Sequence, residues 1–216
     1  MDLSKARQVP ESGISDARDN GNQLAGSAPV SNVSRLECLR SATRACHAQL
    51  DQSVSAAGYF DTPERYGLYL ARTAGFQHSF DGAAAGIRDA WLERWNTAQR
   101  MTWLRDDLHA LGLSSLDVRT SQVELQFSSP SHLLGGLYVV IGAGLGARVL
   151  VQRAAALRFP DGQGTRYLER LSTTTRWAGF VKFLEETPAI CAAELTEGAL
   201  ATFACVACHF SEQTSR

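Results

Sequence analysis

The chain has 216 residues and a mass of 23.4 kDa, a size at which one hydrophobic core is the default. Its 21 Lys and Arg residues nearly balance its 22 Asp and Glu residues, which argues against nucleic-acid binding driven by overall positive charge. The 44% hydrophobic and 20% charged content excludes full disorder and collagen-like repeats. Five cysteines, an odd number, and no N-terminal signal pattern lead us to expect a cytoplasmic protein.

The first part of the chain differs in composition from the rest. Residues 1–33 carry scattered glycines and prolines among polar residues, without a sustained apolar period, which predicts a disordered tail. We therefore expect a single helical domain over residues 34–212, followed by a short C-terminal tail of residues 213–216.

Helix start signals appear at two places after the tail. Ser34 and Glu37 have the spacing of a capping box, in which each side chain satisfies a free amide at a helix start. Together with apolar residues at three- and four-residue spacing, they predict a helix from Arg35 to about Ala56. Thr62 followed by Pro63 predicts the start of a second helix.

Helical spacing of apolar residues continues through most of the remaining sequence. Residues 91–111 predict another helical region, and Thr187-Pro188 announces a last helix that runs to about Phe210. Residues 118–127 alternate with a period of two, but no partner strand is evident for them. The sequence therefore predicts an all-α fold.

An uncharged segment, residues 133–147, is unusually rich in glycine. It contains five glycines: Gly135, Gly136, Gly142, Gly144 and Gly146. Three interior glycines between residues 142 and 146 cost a helix about 3 kcal/mol relative to alanine. Such a cost indicates a specific structural or functional need.

Two interpretations of this segment place it outside a soluble helix. Residues 138–147 resemble a buried strand that enters a dinucleotide-binding turn, Gly142 to Ala147, with Glu169 at the position of a ribose ligand. That turn needs neighbouring parallel strands, which the rest of the sequence does not predict. A membrane span is not expected, because the uncharged run is 15 residues long and a bilayer core requires about 20.

The first predicted helix carries a group of residues with a shared direction. Arg40, Arg44 and His47 lie at positions i, i+4 and i+7, within one wedge of the helix. Arginine binds carboxylates with its two-pronged guanidinium, and imidazole is a common iron ligand. The group suits a ligand with carboxylates at one edge and a metal at its centre. The alternative is an exposed arginine face beside a structural histidine.

Two segments together resemble the haem oxygenase family. The sequence of residues 39–50, LRSATRACHAQL, and that of residues 138–150, YVVIGAGLGARVL, are similar to the family's two haem-facing helices. The similarity is greatest to the bacterial branch that supplies biliverdin to bacteriophytochromes. It extends over about residues 34–210 and implies a single all-α domain of haem-oxygenase-like architecture.

The resemblance implies an activity and its partners. The expected reaction is oxygen-dependent cleavage of haem to biliverdin, carbon monoxide and ferrous iron. Haem is then both substrate and cofactor, and electrons come from an external reductase or ferredoxin. A bacteriophytochrome is the expected acceptor of biliverdin, whereas neither a nucleic-acid partner nor a membrane span is implied.

The resemblance also implies roles for individual residues. His47 is the expected iron ligand on the proximal side, with Arg40 and Arg44 near the haem propionates. Arg176 is a further candidate propionate partner.

The glycine segment would be the distal helix, on the other side of the macrocycle. Tyr138 would provide a polar contact to haem or to ordered water. Three glycines would kink the helix and let its backbone approach the ligand: Gly142, Gly144 and Gly146. Of these, Gly142 and Gly146 are the expected catalytic positions.

Two positions depart from the family pattern. Ala143 stands where mammalian-type members have an aspartate, and Ile141 replaces a glutamate expected in the bacterial branch. A haem-binding or haem-handling module without turnover is therefore an alternative to the enzyme. Residues 205–209 also match the c-type haem attachment motif C-x-x-C-H, but their position at the end of a predicted amphipathic helix, without an export signal, argues against haem attachment.

Overall fold

The computed structural model describes residues 34–91, 93–113, 124–160, 163–174 and 176–211. The predicted tails, residues 1–33 and 213–216, lie outside these ranges. Most of the period-two stretch also lies outside them, and its described part, from residue 124 onward, is irregular. The described residues contain helices and no strand, which confirms the all-α prediction.

Seven α-helices and one 3₁₀ turn make up the regular structure of the described ranges. In chain order they are α1 (Arg35–Ala56), α2 (Pro63–Ala84), the 3₁₀ turn (Glu93–Trp95), α3 (Gln99–Ala110), α4 (Pro130–Ala155), α5 (Arg166–Thr173), α6 (Arg176–Glu186) and α7 (Ala192–Phe210).

The predicted starts of α1 and α2 are confirmed. The Ser34 hydroxyl accepts the Glu37 amide at 3.3 Å, and the Thr62 hydroxyl accepts the Arg65 amide at 3.3 Å. The carboxylate at the start of α1 comes from another helix, however. Glu185, at the end of α6, accepts from the Ser34 hydroxyl at 2.7 Å and from the next two amides, those of residues 35 and 36.

Two helix predictions were wrong at their boundaries. In the region of residues 91–111, the regular structure is a short 3₁₀ turn followed by α3. The Asn96 side chain accepts the Ala98 amide at 2.7 Å, and this local turn separates the two elements. The last helix starts at Ala192, because Ala189 adopts a left-handed backbone (φ 57°) that ends any helix begun at Pro188.

The core is built around the close crossing of α4 and α7. Gly135 of α4 lies against the backbone of α7 at Leu195, and Gly198 of α7 lies against the backbone of α4 at His132. A Cβ atom at either glycine would collide with main chain, so these two positions require glycine. The largest fully buried side chains come from several helices and include Tyr66, Phe80, Phe180, Leu39, Leu70, Leu104, Leu133 and Leu168.

Among the described residues, α4 is the one helix that is long and apolar enough to cross a membrane. It has 26 residues, more than the uncharged run, because it continues through Arg148 and Arg153. The core helix of a soluble protein passes the same test, and α4 is packed against α5, α6 and α7. Length and composition alone therefore do not establish a span.

Candidate functional site

The imidazole of His47 stands on an open face of α1. Its side chain is 64% exposed, and Nδ1 lies 2.9 Å from Oδ2 of Asp51, one helical turn further on. When Nδ1 donates its proton to this carboxylate, Nε2 keeps its lone pair for a metal. The ring of Phe203 in α7 meets the imidazole edge-on, at 6.0 Å between centroids. His47 is thus an exposed imidazole with a carboxylate at one ring nitrogen, a pairing that metal-ligating histidines commonly have.

Arg40 and Arg44 extend the same face of α1. Both are exposed, and neither forms an ion pair with any residue in the described ranges. Their guanidinium groups are therefore available to carboxylates from outside the chain.

Tyr138 of α4 contacts a buried residue of α1. Its hydroxyl lies 3.5 Å from Oγ1 of Thr43, and Thr43 is one helical turn before His47. This contact links the helix of the predicted α1 residues to the helix of the glycine segment.

The three glycines beyond Tyr138 have different surroundings. A Cβ atom at Gly142 would lie 3.2 Å from the ring of Trp177, and one at Gly144 would lie 3.3 Å from the carbonyl oxygen of Leu171. At Gly146 nothing lies within 4 Å of the Cβ position. Gly142 and Gly144 therefore permit close packing with α6 and α5, whereas Gly146 leaves open space. The helix itself runs through all three without interruption.

An apolar strip continues from Tyr138 and Gly142 along α4. Leu145 is 46% exposed and Val149 is 63% exposed, and their spacing from Tyr138 places them within about 20° of it around the helix axis. Exposed large apolar side chains beside a polar group are typical of a ligand-covered surface.

Arg176 is bound to the 3₁₀ turn. Its guanidinium donates to the carbonyl oxygens of Asn96, at 3.0 Å, and Arg94, and it lies over the ring of Trp95, 5.4 Å from the centroid. Burial lowers the pKa of Arg176. Within the described ranges, the contacts of Arg176 do not link it to the predicted site residues Arg40 and Arg44.

Several residues of this site were not predicted from the sequence. Asp51 had a detectable signal, because a carboxylate one turn after a histidine faces the same way. Leu145 and Val149 also share the helical spacing of Tyr138. Trp177 had no such signal, because its packing on Tyr138, with ring centroids 5.8 Å apart, and on Gly142 depends on how α6 docks.

These residues fit a haem group in their chemistry. His47 offers a nitrogen to iron, two unpaired arginines offer charge to propionates, and the strip on α4 offers apolar contact to a macrocycle. No group of three or more His, Cys, Asp or Glu side chains in the described ranges is placed to hold a metal ion. Haem iron needs no such group, since the macrocycle supplies most of its ligands.

The dinucleotide interpretation was wrong. Residues 138–147 lie inside α4, with neither a strand before them nor a turn at the glycines. Glu169 lies in α5, where its carboxylate accepts the hydroxyl of Thr165 at 2.6 Å. A phosphate-binding turn needs a loop between strand and helix, which this segment does not form.

Two residues of the C-x-x-C-H motif, Cys205 and His209, are buried. Cys205 is fully buried, and burial raises the pKa of its thiol to about 11. The ring of His209 is also buried and lies 3.2 Å from the Ser79 hydroxyl of α2. Neither group is placed to attach or ligate a haem.

A surface cavity of about 620 Å³ lies elsewhere, between α3 and α5. Its floor includes Asp107, which accepts the amides of Arg166 and Tyr167 at 3.0 and 2.7 Å. Burial raises the pKa of Asp107 to about 6. This carboxylate caps the start of α5, so its polar contacts are explained by the fold.

Comparison with known proteins identifies a similar fold. No protein-family model and no curated protein matches the chain. Its structure is similar to that of the haem oxygenase from Neisseria meningitidis, which has been crystallised with bound NO and CO. The TM-score is 0.67 at 24% sequence identity, over 82% of this chain and 90% of the other. The chain therefore has the all-α fold of that haem oxygenase.

Proposed function

We propose that this protein is a haem oxygenase, which cleaves haem with oxygen to biliverdin, carbon monoxide and ferrous iron. One observation carries the proposal. The imidazole of His47, held through Nδ1 by Asp51, shares an exposed face with Arg40 and Arg44. Thr43 of the same helix contacts Tyr138 of α4, with 3.5 Å between their hydroxyl oxygens. The similarity of fold to a haem oxygenase supports the same conclusion.

Residues on α1 would hold the ligand by its iron and its carboxylates. His47 would bind iron through Nε2, while Asp51 keeps the proton on Nδ1 and strengthens the imidazole as a donor. Arg40 and Arg44 would bind the propionates and so fix the ligand's rotation in its plane. Bound haem would supply both the iron at which oxygen is reduced and the carbon that is oxidised.

Residues on α4 would cover the opposite side. Gly146 leaves room there, and Leu145 and Val149 would exclude water from the macrocycle. The Tyr138 hydroxyl is the polar group nearest the start of this surface, where it can donate a hydrogen bond or orient water. Ala143 provides no proton donor, so the Tyr138 hydroxyl and water held near it are the candidates for moving protons.

The proposal includes partners that haem cleavage requires. Electrons would come from an external reductase or ferredoxin, because oxygen-dependent cleavage of haem consumes reducing equivalents. The similarity of residues 39–50 and 138–150 to the bacterial branch of the family supports a bacteriophytochrome as biliverdin acceptor and a cytoplasmic location.

Hemin titration followed by turnover tests the proposal. Hemin added to the purified chain should give a Soret band with one-to-one stoichiometry, and reductant with oxygen should then replace it with the biliverdin absorbance. A Soret band without biliverdin would favour the haem-handling alternative, for which Ala143 and Ile141 are the supporting residues. Absence of any Soret band would contradict haem binding and with it both of these functions.

A further inference from the structure

A second cavity, of about 290 Å³, lies where the end of α2 and the segment around the 3₁₀ turn meet α4. Four of the side chains that line it are buried: Phe80 of α2, Trp95 of the turn, and Leu133 and Leu137 of α4. Apolar walls with a few polar groups are typical of small-molecule sites, whose volumes begin at about 300 Å³. None of the described residues that line the cavity belongs to α1. The cavity is therefore separate from the face that carries His47.

The indole of Trp95 brings a buried hydrogen-bond donor to this cavity. Trp95 is 3% exposed, and its Nε1 has no hydrogen-bond partner among the described residues. Its neighbours hold the ring in place: the guanidinium groups of Arg94 and Arg176 lie 5.1 and 5.4 Å from its centroid, and the ring of Phe180 meets it edge-on at 5.2 Å. A buried donor without a partner is costly. A ligand that offers an acceptor to this N–H would therefore gain affinity.

Two carboxylates also line the cavity, whereas none of its described lining residues is Lys, Arg or His. Gln77 and Thr97 donate to Oδ1 of Asp81 at 2.7 and 3.3 Å, which leaves Oδ2 available to a donor in the cavity. Burial raises the pKa of Asp81, although these two hydrogen bonds and the charge of Arg100 act against the rise. Glu93 is exposed. Neither carboxylate forms an ion pair within the described ranges, so the cavity favours a positively charged group.

We propose that this cavity binds a small organic amine that also carries a hydrogen-bond acceptor. The ammonium group would donate to Asp81 and lie near Glu93. The apolar body would pack on Phe80 and Leu137, and the acceptor would take the indole N–H of Trp95. The proposal does not rest on haem binding, because these groups belong neither to α1 nor to the glycine segment of α4.

Tyramine, an aromatic amine with a hydroxyl group, is the probe for the hemin-free chain. Calorimetric titration should give a dissociation constant of about 1 mM or lower. Proton–nitrogen NMR spectra follow the indole N–H groups of the four tryptophans, and the resonance missing in Trp95→Phe belongs to Trp95. Tyramine should shift this resonance downfield, because the N–H gains an acceptor. No binding, or binding that leaves the Trp95 resonance in place, would overturn the proposal.

Two analogues of tyramine separate its ammonium group from its hydroxyl. Phenethylamine lacks the hydroxyl, so it should bind about fivefold more weakly and leave the Trp95 resonance nearly unshifted. The compound 4-ethylphenol lacks the ammonium group and should bind at least about tenfold more weakly than tyramine. Equal affinities of 4-ethylphenol and tyramine would contradict recognition by the carboxylates.

Asp81→Asn tests the carboxylate from the side of the protein. Asparagine can still accept from Gln77 and Thr97, but it removes the charge, so tyramine affinity should fall about tenfold while 4-ethylphenol affinity stays unchanged. Asp61→Asn is the matched control, because Asp61 is exposed and does not line the cavity. It should bind tyramine as the wild type does.

Unchanged tyramine affinity in Asp81→Asn would contradict the role of Asp81. Should Asp81→Asn not fold, Glu93→Gln tests the same charge at an exposed position, with an expected loss of about threefold in tyramine affinity. Equal affinity of Glu93→Gln and the wild type, together with equal binding of 4-ethylphenol and tyramine, would then overturn the proposal. A failure of the chain to bind hemin would remove the proposed function and leave the tyramine result standing.

Discussion

Asp51 is the residue whose effect on His47 can be isolated most cleanly. Asn in its place keeps the size and can accept the Nδ1 proton, but it removes the negative charge that strengthens the imidazole. Because the pair is exposed, the loss in hemin affinity for Asp51→Asn should be at the lower end of such effects, about tenfold. Spectroscopic titration with hemin measures it. The control Asp61→Asn, an exposed carboxylate outside the helix, should bind as the wild type does, and an unchanged affinity of Asp51→Asn would mean that the pair does not orient the ligand.

Substitutions at Gly146 and Gly142 test ligand binding and helix packing on α4 separately. Gly146→Leu fills volume that no other atom occupies, so hemin binding should weaken while stability of the ligand-free chain holds or rises by up to about 1 kcal/mol. Gly142→Leu must displace the ring of Trp177 and should lower the stability of the ligand-free chain. Urea denaturation and hemin titration of both variants provide the measurements. Equal hemin affinity for Gly146→Leu and wild type would show that the ligand does not approach this turn.

The residues of the site differ in how far the sequence could reveal them. Arg40, Arg44 and His47 were accessible because helical periodicity alone places them in one wedge. The packing roles of Gly142 and Gly144 could not be predicted, because they depend on Trp177 and Leu171, which belong to helices later in the chain. Helical spacing says which residues share a face and leaves open which element covers it.

At the scale of elements, α1 and α6 cap each other. A side chain from the end of α6 caps the start of α1, and a side chain from the start of α1 caps the end of α6. Glu185 accepts from the first amides of α1, and Arg35 donates to the carbonyl oxygens of Leu184 and Thr187, both at 2.7 Å. Backbone amides at the start of α1 and carbonyl oxygens at the end of α6, which have no partner within their own helix, thus form hydrogen bonds at one junction. This junction fixes one end of the helix that carries His47.

Glu185→Gln tests the junction and its pH dependence. Burial raises the pKa of Glu185, but hydrogen bonds from Leu36, Ser34 and Arg35 outweigh it, so the net shift is downward. The stabilisation is therefore present above the unfolded pKa, near 4.5, and disappears as the pH falls through the lower pKa of the folded chain. Glu185→Gln should lower the free energy of unfolding by about 1 kcal/mol at pH 7, and by progressively less below pH 4.5.

Urea unfolding at several pH values measures that difference. Glu186→Gln is the control, since Glu186 is exposed and its distance to Lys182 is 3.9 Å, so its loss should change little. A difference between wild type and Glu185→Gln that grows on acidification would contradict the assigned sign.

Helix boundaries were predicted correctly where the capping residues in the sequence agree with the long-range packing. Ser34, Thr62 and Pro63 mark helix starts that the structure retains, because caps are local. The predicted helix boundaries near Asn96 and Ala189 were wrong, because a local turn at each residue interrupts the helix although the apolar spacing remains helical. The partner of the Ser34 cap, Glu185, lies 151 residues away and has no local signature.

At the scale of the whole molecule, we expect residues 34–210 to be sufficient for the proposed activity. The N-terminal residues have no apolar period with which to contribute to a core. Deleting residues 1–29 should therefore leave hemin affinity within about twofold of the full chain. Hemin titration of the truncated and full chains makes the comparison, and a large loss of Soret absorbance on truncation would place the tail in the site.

The most direct test of the account is hemin binding and turnover by His47→Ala. Without the imidazole, Arg40 and Arg44 should still hold hemin, more weakly and with a shifted Soret band, and biliverdin formation should fall sharply. Added imidazole should restore part of the spectrum, whereas His78→Ala and His109→Ala, which remove exposed histidines elsewhere, should leave it unchanged. An unaltered Soret band together with undiminished biliverdin formation in His47→Ala would contradict the central claim.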